Sequence, residues 1–166
     1  MTLKATPSTL IGNLRETDIF AGLSDESLFK IAELCTLDNF DAGELCAIEG
    51  EKTEKVLIVN NGKVDINMKV TTGMFTHTLT VATLTRGKIC VWAGLIPPHL
   101  LTASVKCDEA TQIINLTASD LKNLFLENPK IGCAIMENLT VVMNSRLRAS
   151  QRKLVRLIAE LIKQSK

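Results

Sequence analysis

From Lys130 to Lys163 nothing in the sequence interrupts a helix: there is no proline, and the one glycine, Gly132, sits near the start. At 1.5 Å per residue this segment of about 34 residues would be roughly 50 Å long, about three times the average helix. A small domain cannot cover such a rod on every side. Two stripes divide it. Ile131, Ile135, Leu139 and Val142 form one, assigned to packing on the chain's own strands. The other is a heptad seam, with Cys133, Thr140, Leu147, Leu154 and Leu161 in one row and Met136, Met143, Ser150, Leu157 and Gln164 in the row three residues on. Such a seam suits a coiled coil, so the expected partner is a second copy, paired through Met136, Thr140, Met143, Leu147, Ser150, Leu154, Leu157 and Leu161. The alternative is a helix folded back on its own domain. The same segment carries Arg146, Arg148, Arg152, Lys153, Arg156, Lys163 and Lys166 against Glu160. This reads as a solvated face with cations toward the helix C-terminus, where the dipole favours them, or as a surface for a partner or nucleic acid.

Between the flanking helices lies a block of short strands. Ser8 to Leu14 and Leu23 to Leu34 are helical, the second capped by Ser24, with Leu28, Ile31 and Leu34 on one face. Strands then follow at Cys35–Phe40, Leu45–Ile48, Lys55–Val59, Lys63–Met68, Phe75–Leu84, Leu101–Cys107 and Thr111–Leu116. The Asn60-Asn61-Gly62 turn predicts a hairpin between the third and fourth. Val64, Ile66 and Met68 alternate with Asp65 and Asn67, which predicts one buried face. A helix from Thr117 to about Glu127 ends at Asn128-Pro129, and Pro129 opens the long one. Many short strands separated by turns indicate an antiparallel sandwich, barrel or roll. With helices before and after, the class is α+β. The expected division is residues 1–128 as the strand domain with its flanking helices and 129–166 as the helix continuous with it.

Composition narrows the function. The net charge of +1 calls for no polyanionic partner. No apolar run approaches the roughly 20 residues that span a bilayer, and the first residues lack a charged-then-apolar signal pattern; a cytosolic location is expected, with no membrane. Cys35, Cys46, Cys90, Cys107 and Cys133 form no Cys-x-x-Cys pair, and the only histidines are His77 and His99. Neither a metal site nor a disulfide scaffold is expected, and each cysteine reads as a small buried hydrophobe. No catalytic serine set, paired-carboxylate motif or glycine-rich phosphate loop is present, so no enzyme is expected.

The stretch from Gly87 to Cys107 has the outline of a phosphate-binding turn: a glycine, a short apolar helical turn, then a Thr-Ala-x-Val strand. Together with Ile19-Phe20-Ala21-Gly22-Leu23-Ser24, Glu49-Gly50-Glu51-Lys52 and Val56 to Val64, it resembles the cyclic-nucleotide-binding domain of the bacterial catabolite activator and fumarate–nitrate regulator proteins. The resemblance covers roughly Leu14 to Ala149. It implies an antiparallel β-roll (a double-stranded β-helix or jelly-roll) with short N-terminal helices and a long C-terminal dimerisation helix. It also implies a nucleotide pocket at the motif Gly-Glu-hydrophobic-Ala/Gly-Leu, a loop, then Arg-Ser/Thr-Ala-x-Val. In that family the Glu accepts from the ribose hydroxyl and the Arg pairs with the cyclic phosphate, helped by main-chain N–H groups.

Aligned at Gly87, this chain has Lys88 at the Glu position and Leu101 at the Arg position, while Thr102, Ala103 and Val105 match. Shifting the longer loop lets Pro98-His99 stand for a Pro-Arg, but a neutral histidine is no bidentate arginine, and Lys88 cannot accept a hydrogen bond. Two charged hydrogen bonds at about 1.5–3 kcal/mol each amount to about two to four decades of affinity. The expected pocket residues are Gly87, Lys88, Ile89, Cys90, Trp92, His99, Leu101, Thr102 and Ala103. The expected function is a regulatory or sensor module that does not hold cyclic AMP in the usual way and carries no cofactor. The alternatives are genuine cyclic AMP or cyclic GMP binding through a modified pocket, a dimeric interaction protein whose pocket is filled by Trp92 and Ile96, and a haem sensor using Cys90 and His99. The chain ends at Lys166, with no room for the family's helix-turn-helix, so sequence-specific DNA binding is not expected.

Overall fold

A computed structural model describes residues 2–4 and 6–164; Lys166, the last cation of the basic tail, lies outside them. The chain opens with β1 (Thr2–Lys4), α1 (Pro7–Arg15), a 3-10 turn (Asp18–Phe20) and α2 (Asp25–Ala32). Ser24 caps α2 by accepting from the Ser27 N–H. The strands are β2 (Thr36–Phe40), β3 (Leu45–Ala47), β4 (Lys55–Asn61), β5 (Lys63–Thr72), β6 (Phe75–Thr85), β7 (Ile89–Val91), β8 (Ser104–Cys107) and β9 (Thr111–Thr117). A second 3-10 turn, Ala93–Leu95, follows β7. The helices α3 (Ala118–Glu127) and α4 (Pro129–Gln164) complete the chain.

The strands form two antiparallel sheets, ordered β1-β2-β9-β4-β7 and β3-β8-β5-β6. The α+β class expected from the strand spacing and the antiparallel roll implied by the resemblance are the observed fold. The central strands of the first sheet are covered on both faces, which is why they read as apolar runs rather than clean alternations. Val56, Ile58, Ile114 and Leu116 enter a core shared with Leu10, Leu14, Phe20, Leu28, Ile31 and Leu121 of the helical segments. Leu57, Val59 and Ile113 face a second core inside the roll, with Val64, Val91, Val105 and Cys107.

Two local expectations are corrected. The Asn60-Asn61-Gly62 segment does not close a hairpin: β4 pairs with β7 and β9, whereas β5 pairs with β6 and β8. It is the corner where the chain leaves one sheet for the other. Gly62 has φ +90°, and a Cβ there would lie 2.6 Å from Thr111 Oγ1 and 2.8 Å from the Ala110 carbonyl. The glycine thus answers to a close crossing over β9 rather than to hairpin chemistry. The second correction concerns β5. Val64 is buried, but farther along Asn67 is buried and Met68 exposed; Asn67 shares the face of Asp65, the two accepting from Thr80 and Thr83 of β6 across a one-residue register shift. The extra residue of that shift, Val81, belongs to β6, so it is the alternation of β6 that changes side at the bulge. Beyond it the β5–β6 ribbon is exposed, with Phe75, Leu79 and Val81 open to solvent.

Helix α4 is one uninterrupted rod of 36 residues. Ile131, Ile135 and Leu139 are buried in the helix-side core, and Asn138 Nδ2 donates to the carbonyls of Ile19 and Ala21 at 3.2 and 2.9 Å. The first half is therefore held mainly by the Asp18–Phe20 turn and α3, with the strands lying beneath that layer. From Leu147 to Gln164 every residue is exposed, including Leu147, Leu154, Leu157 and Leu161.

Replacing Gly62 by Ala should destabilise the fold by about 2–4 kcal/mol, combining left-handed strain with overpacking against backbone. Gly43→Ala is the control: φ is +89° there with open space around it, so only the strain of about 1–2 kcal/mol remains. Urea unfolding of both variants measures the difference; equal costs would mean that β9 yields at the crossing.

Candidate functional site

A cavity of about 250 Å³ lies between the Ala93–Leu95 turn, the chain leading into β8, and α4. Its walls are largely apolar: Ile66, Val91, Trp92, Ile96, Pro97, Leu101 and Val105 all contribute. Cys90, Thr102 and Ala103 line it as well, and α4 closes it with Met143 and Arg146. The turn is held down by its neighbours. A Cβ on Gly94 would lie 2.7 Å from the Lys55 carbonyl, so the turn packs directly on the start of β4. Opposite it, the Leu101 N–H donates to Glu51 O at 2.9 Å and the Gly50 N–H to Leu101 O at 2.8 Å. These bonds pin the segment that carries Thr102 and Ala103.

Arg146 is the side chain that joins α4 to the turn. Its Cζ lies 4.5 Å from the centroid of the Trp92 ring, within cation–π range. It also donates to the Ile89 carbonyl. Burial works against its positive charge, and the nearby Asp18 opposes that effect. Asp18 sits in the first 3-10 turn, where its Oδ1 accepts from the Ile89 N–H at 3.3 Å. Burial pushes the Asp18 carboxyl up, against the lowering effects of the Ile89 N–H, Lys88 and Arg146. Residue 89 is thus gripped from two sides, its N–H by Asp18 and its carbonyl by Arg146.

The family of the chain follows from comparison. The model of the cyclic nucleotide-binding domain matches residues 37–128, more than half of the sequence. The chain belongs to the cyclic nucleotide-binding domain family. A crystal structure of such a domain from Methylobacillus flagellatus has a TM-score of 0.78 at 18% identity, over 90% of this chain and 83% of that one. The catabolite activator protein of Thermus thermophilus has a TM-score of 0.69 at 23% identity, over 85% of this chain and 63% of that one. The cGMP-dependent protein kinase egl-4 of Caenorhabditis briggsae is 30% identical over 63 residues, which are 38% of this chain and 8% of the kinase. The chain therefore spans a small fraction of that relative's length.

Of the residues expected in this cyclic nucleotide-binding domain's pocket, Cys90, Trp92, Leu101, Thr102 and Ala103 line the cavity, whereas Gly87, Lys88, Ile89 and His99 do not. Gly87 closes a backbone link, its N–H donating to Val59 O and its carbonyl accepting from Asp18 N–H. Lys88 is half exposed and points toward Asp18, with Nζ 3.9 Å from the carboxylate. Ile89 is buried in the helix-side core. His99 Nδ1 lies 3.0 Å from the Ala93 carbonyl, and Cys90 Sγ donates to the Leu57 carbonyl at 3.3 Å; each is occupied by a backbone partner.

Sequence reasoning missed Arg146, which stands in the basic run. The signal was present: Ile135, Leu139, Val142 and Arg146 recur at helical spacing, so the core stripe runs straight into this cation. It also missed the meeting of Cys46, Cys90 and Cys107, which come from three different strands. The Cys46 thiol is pushed up chiefly by its hydrogen bond with Cys90 and then by burial. Burial raises Cys107 to about 11 and Cys35 to about 12. Protonated thiols are poor nucleophiles, which agrees with reading these cysteines as packing residues. Cys133 is exposed. At pH 8, Ellman's reagent should titrate Cys133 rapidly in the native protein, and the remaining four only on unfolding. A second rapid thiol would mean that the roll opens readily.

Proposed function

We propose that this domain is a regulatory sensor module in which the charged nucleotide contacts of the family are replaced by an apolar cavity closed by α4. The supporting observation is the wall of that cavity at the turn. The family motif Gly-Glu-hydrophobic-Ala/Gly-Leu is satisfied at its end by Gly94-Leu95, the pair that forms the 3-10 turn. Counted back from there, Trp92 occupies the Glu position and Val91 the Gly position. This register supersedes one anchored at Gly87-Lys88, since Lys88 faces Asp18 outside the cavity. Leu101 remains at the Arg position, buried. Both ends of the charged pair are thus apolar, and the cavity's cation comes from α4 instead.

On this reading the module is cytosolic and non-catalytic, and its output is the placement of α4. Arg146 and Met143 sit on α4 and wall the cavity, so what occupies the cavity acts on the helix directly. A ligand shifts the helix only by as much as it favours one placement over another. The exposed heptad stripe beyond Leu147 supports a homodimer, since apolar rows of this length pair with a second copy.

Calorimetry with cyclic AMP and cyclic GMP up to about 1 mM should register no binding, because about two to four decades of affinity rest on the missing pair. Micromolar binding would sink the reading. Conversely, Trp92→Glu with Leu101→Arg should restore measurable cyclic AMP binding; if it does not, the register at Gly94-Leu95 is wrong. For the dimer, sedimentation equilibrium should give twice the 18.2 kDa chain mass. A Leu154→Arg, Leu161→Arg variant should sediment as a monomer with its domain fold intact. A monomeric parent protein would overturn the homodimer.

A further inference from the structure

The cavity pairs one cation with apolar walls, and this inference deepens the reading above by naming what those walls fit. Arg146 has five N–H donors in a planar fork. One of its nitrogens donates to the Ile89 carbonyl, and its face lies over Trp92. Among the described residues no carboxylate forms an ion pair with it; Asp18 acts on it only from a distance. Arg146 thus lines a hollow with no carboxylate among its lining residues. Around it stand Ile66, Val91, Ile96, Leu101 and Val105, with the Thr102 hydroxyl, the Trp92 indole N–H and the Cys90 thiol as further side-chain hydrogen-bonding groups.

We propose that this cavity binds a small organic carboxylate with an apolar body, its head paired with Arg146 and its body packed on the walls. A guanidinium fork matches a carboxylate through two parallel hydrogen bonds, and an apolar hollow with few placed polar groups is the usual form of a small-molecule site. A nucleotide would have to bury ribose hydroxyls and base edges against these walls without partners, which is costly. A hydrocarbon body meets no such penalty. Because Arg146 also holds the Ile89 carbonyl, a bound carboxylate competes for the group that fastens α4 to the turn.

The chain has a single tryptophan and no tyrosine, so its emission reports the Trp92 ring at the cavity wall. The test is a fluorescence titration of the full chain with octanoate, octanamide, inorganic phosphate and cyclic AMP, each to about 10 mM. Octanoate should give a saturable change, and octanamide should bind at least about tenfold more weakly, the loss expected on removing a charged pair. Phosphate should give none. Arg146→Gln should abolish the preference, so that octanoate and octanamide bind alike, and Arg146→Lys should recover part of the difference. Circular dichroism of each variant checks the helix, and the octanoate–octanamide comparison on the parent protein needs no variant. Equal binding of acid and amide, an unchanged octanoate affinity in Arg146→Gln, or no saturable signal would overturn the proposal. A phosphate response equal to that of octanoate would overturn the apolar body. A saturable response to cyclic AMP would overturn the sensor reading of the previous subsection instead, so the two failures are distinguishable.

Discussion

Val56 and Ile58 face the helices while Leu57 and Val59 face the roll, so β4 is a wall shared by two cores. Strand β9 repeats the arrangement with Ile114 and Leu116 on one side and Ile113 on the other. Pairing between these two strands runs along their whole length, from Lys55↔Thr117 to Asn61↔Gln112. Burying a medium or large apolar side chain contributes about 1.5–3 kcal/mol, and here both sides of one sheet collect that contribution. The helical layer and the roll are joined through it, and neither could shift without stripping the other of its floor.

The site grows out of this wall. Strand β7 pairs with β4 through Leu57↔Val91 and Ile58↔Ile89. It therefore delivers Ile89 to the helix side and Cys90 and Val91 to the roll side. The turn that follows packs on the start of β4 at Gly94. Asp18 and Arg146 then meet at residue 89 from separate parts of the chain. The first 3-10 turn, β7 and α4 converge on one residue, Ile89, and a helix rather than a loop closes the cavity there.

Much of the architecture was legible in the sequence because it depends on local signals. Ser24 and Thr117 mark helix starts, Pro129 opens α4, and the apolar runs of β4 and β9 have the length of strands. What failed was long-range. Asn61-Gly62 has the chemistry of a hairpin turn, and only the sheet order reveals a crossing between layers. The alternation in β5 was read as one buried face through to Met68, but Asn67, bonded to Thr80 of β6, is buried and Met68 is open. At the site, the turn between β7 and β8 was visible, but which of its residues line the cavity was not, and Gly87, Lys88, Ile89 and His99 stand outside it. Arg146 was counted as surface charge because its partners, Trp92 and Ile89, lie more than fifty residues away.

The geometry of α4 has a mechanical consequence. Among the described residues its last contacts with the domain are near Arg146, and the rod continues to Gln164, a projecting arm of about 27 Å at 1.5 Å per residue. A tilt of about 10° with its pivot at Arg146 would sweep the far end through about 5 Å over that length. That is the span of one helical turn. A displacement at the cavity too small to disturb the roll would thereby be magnified into a sideways movement of the tip.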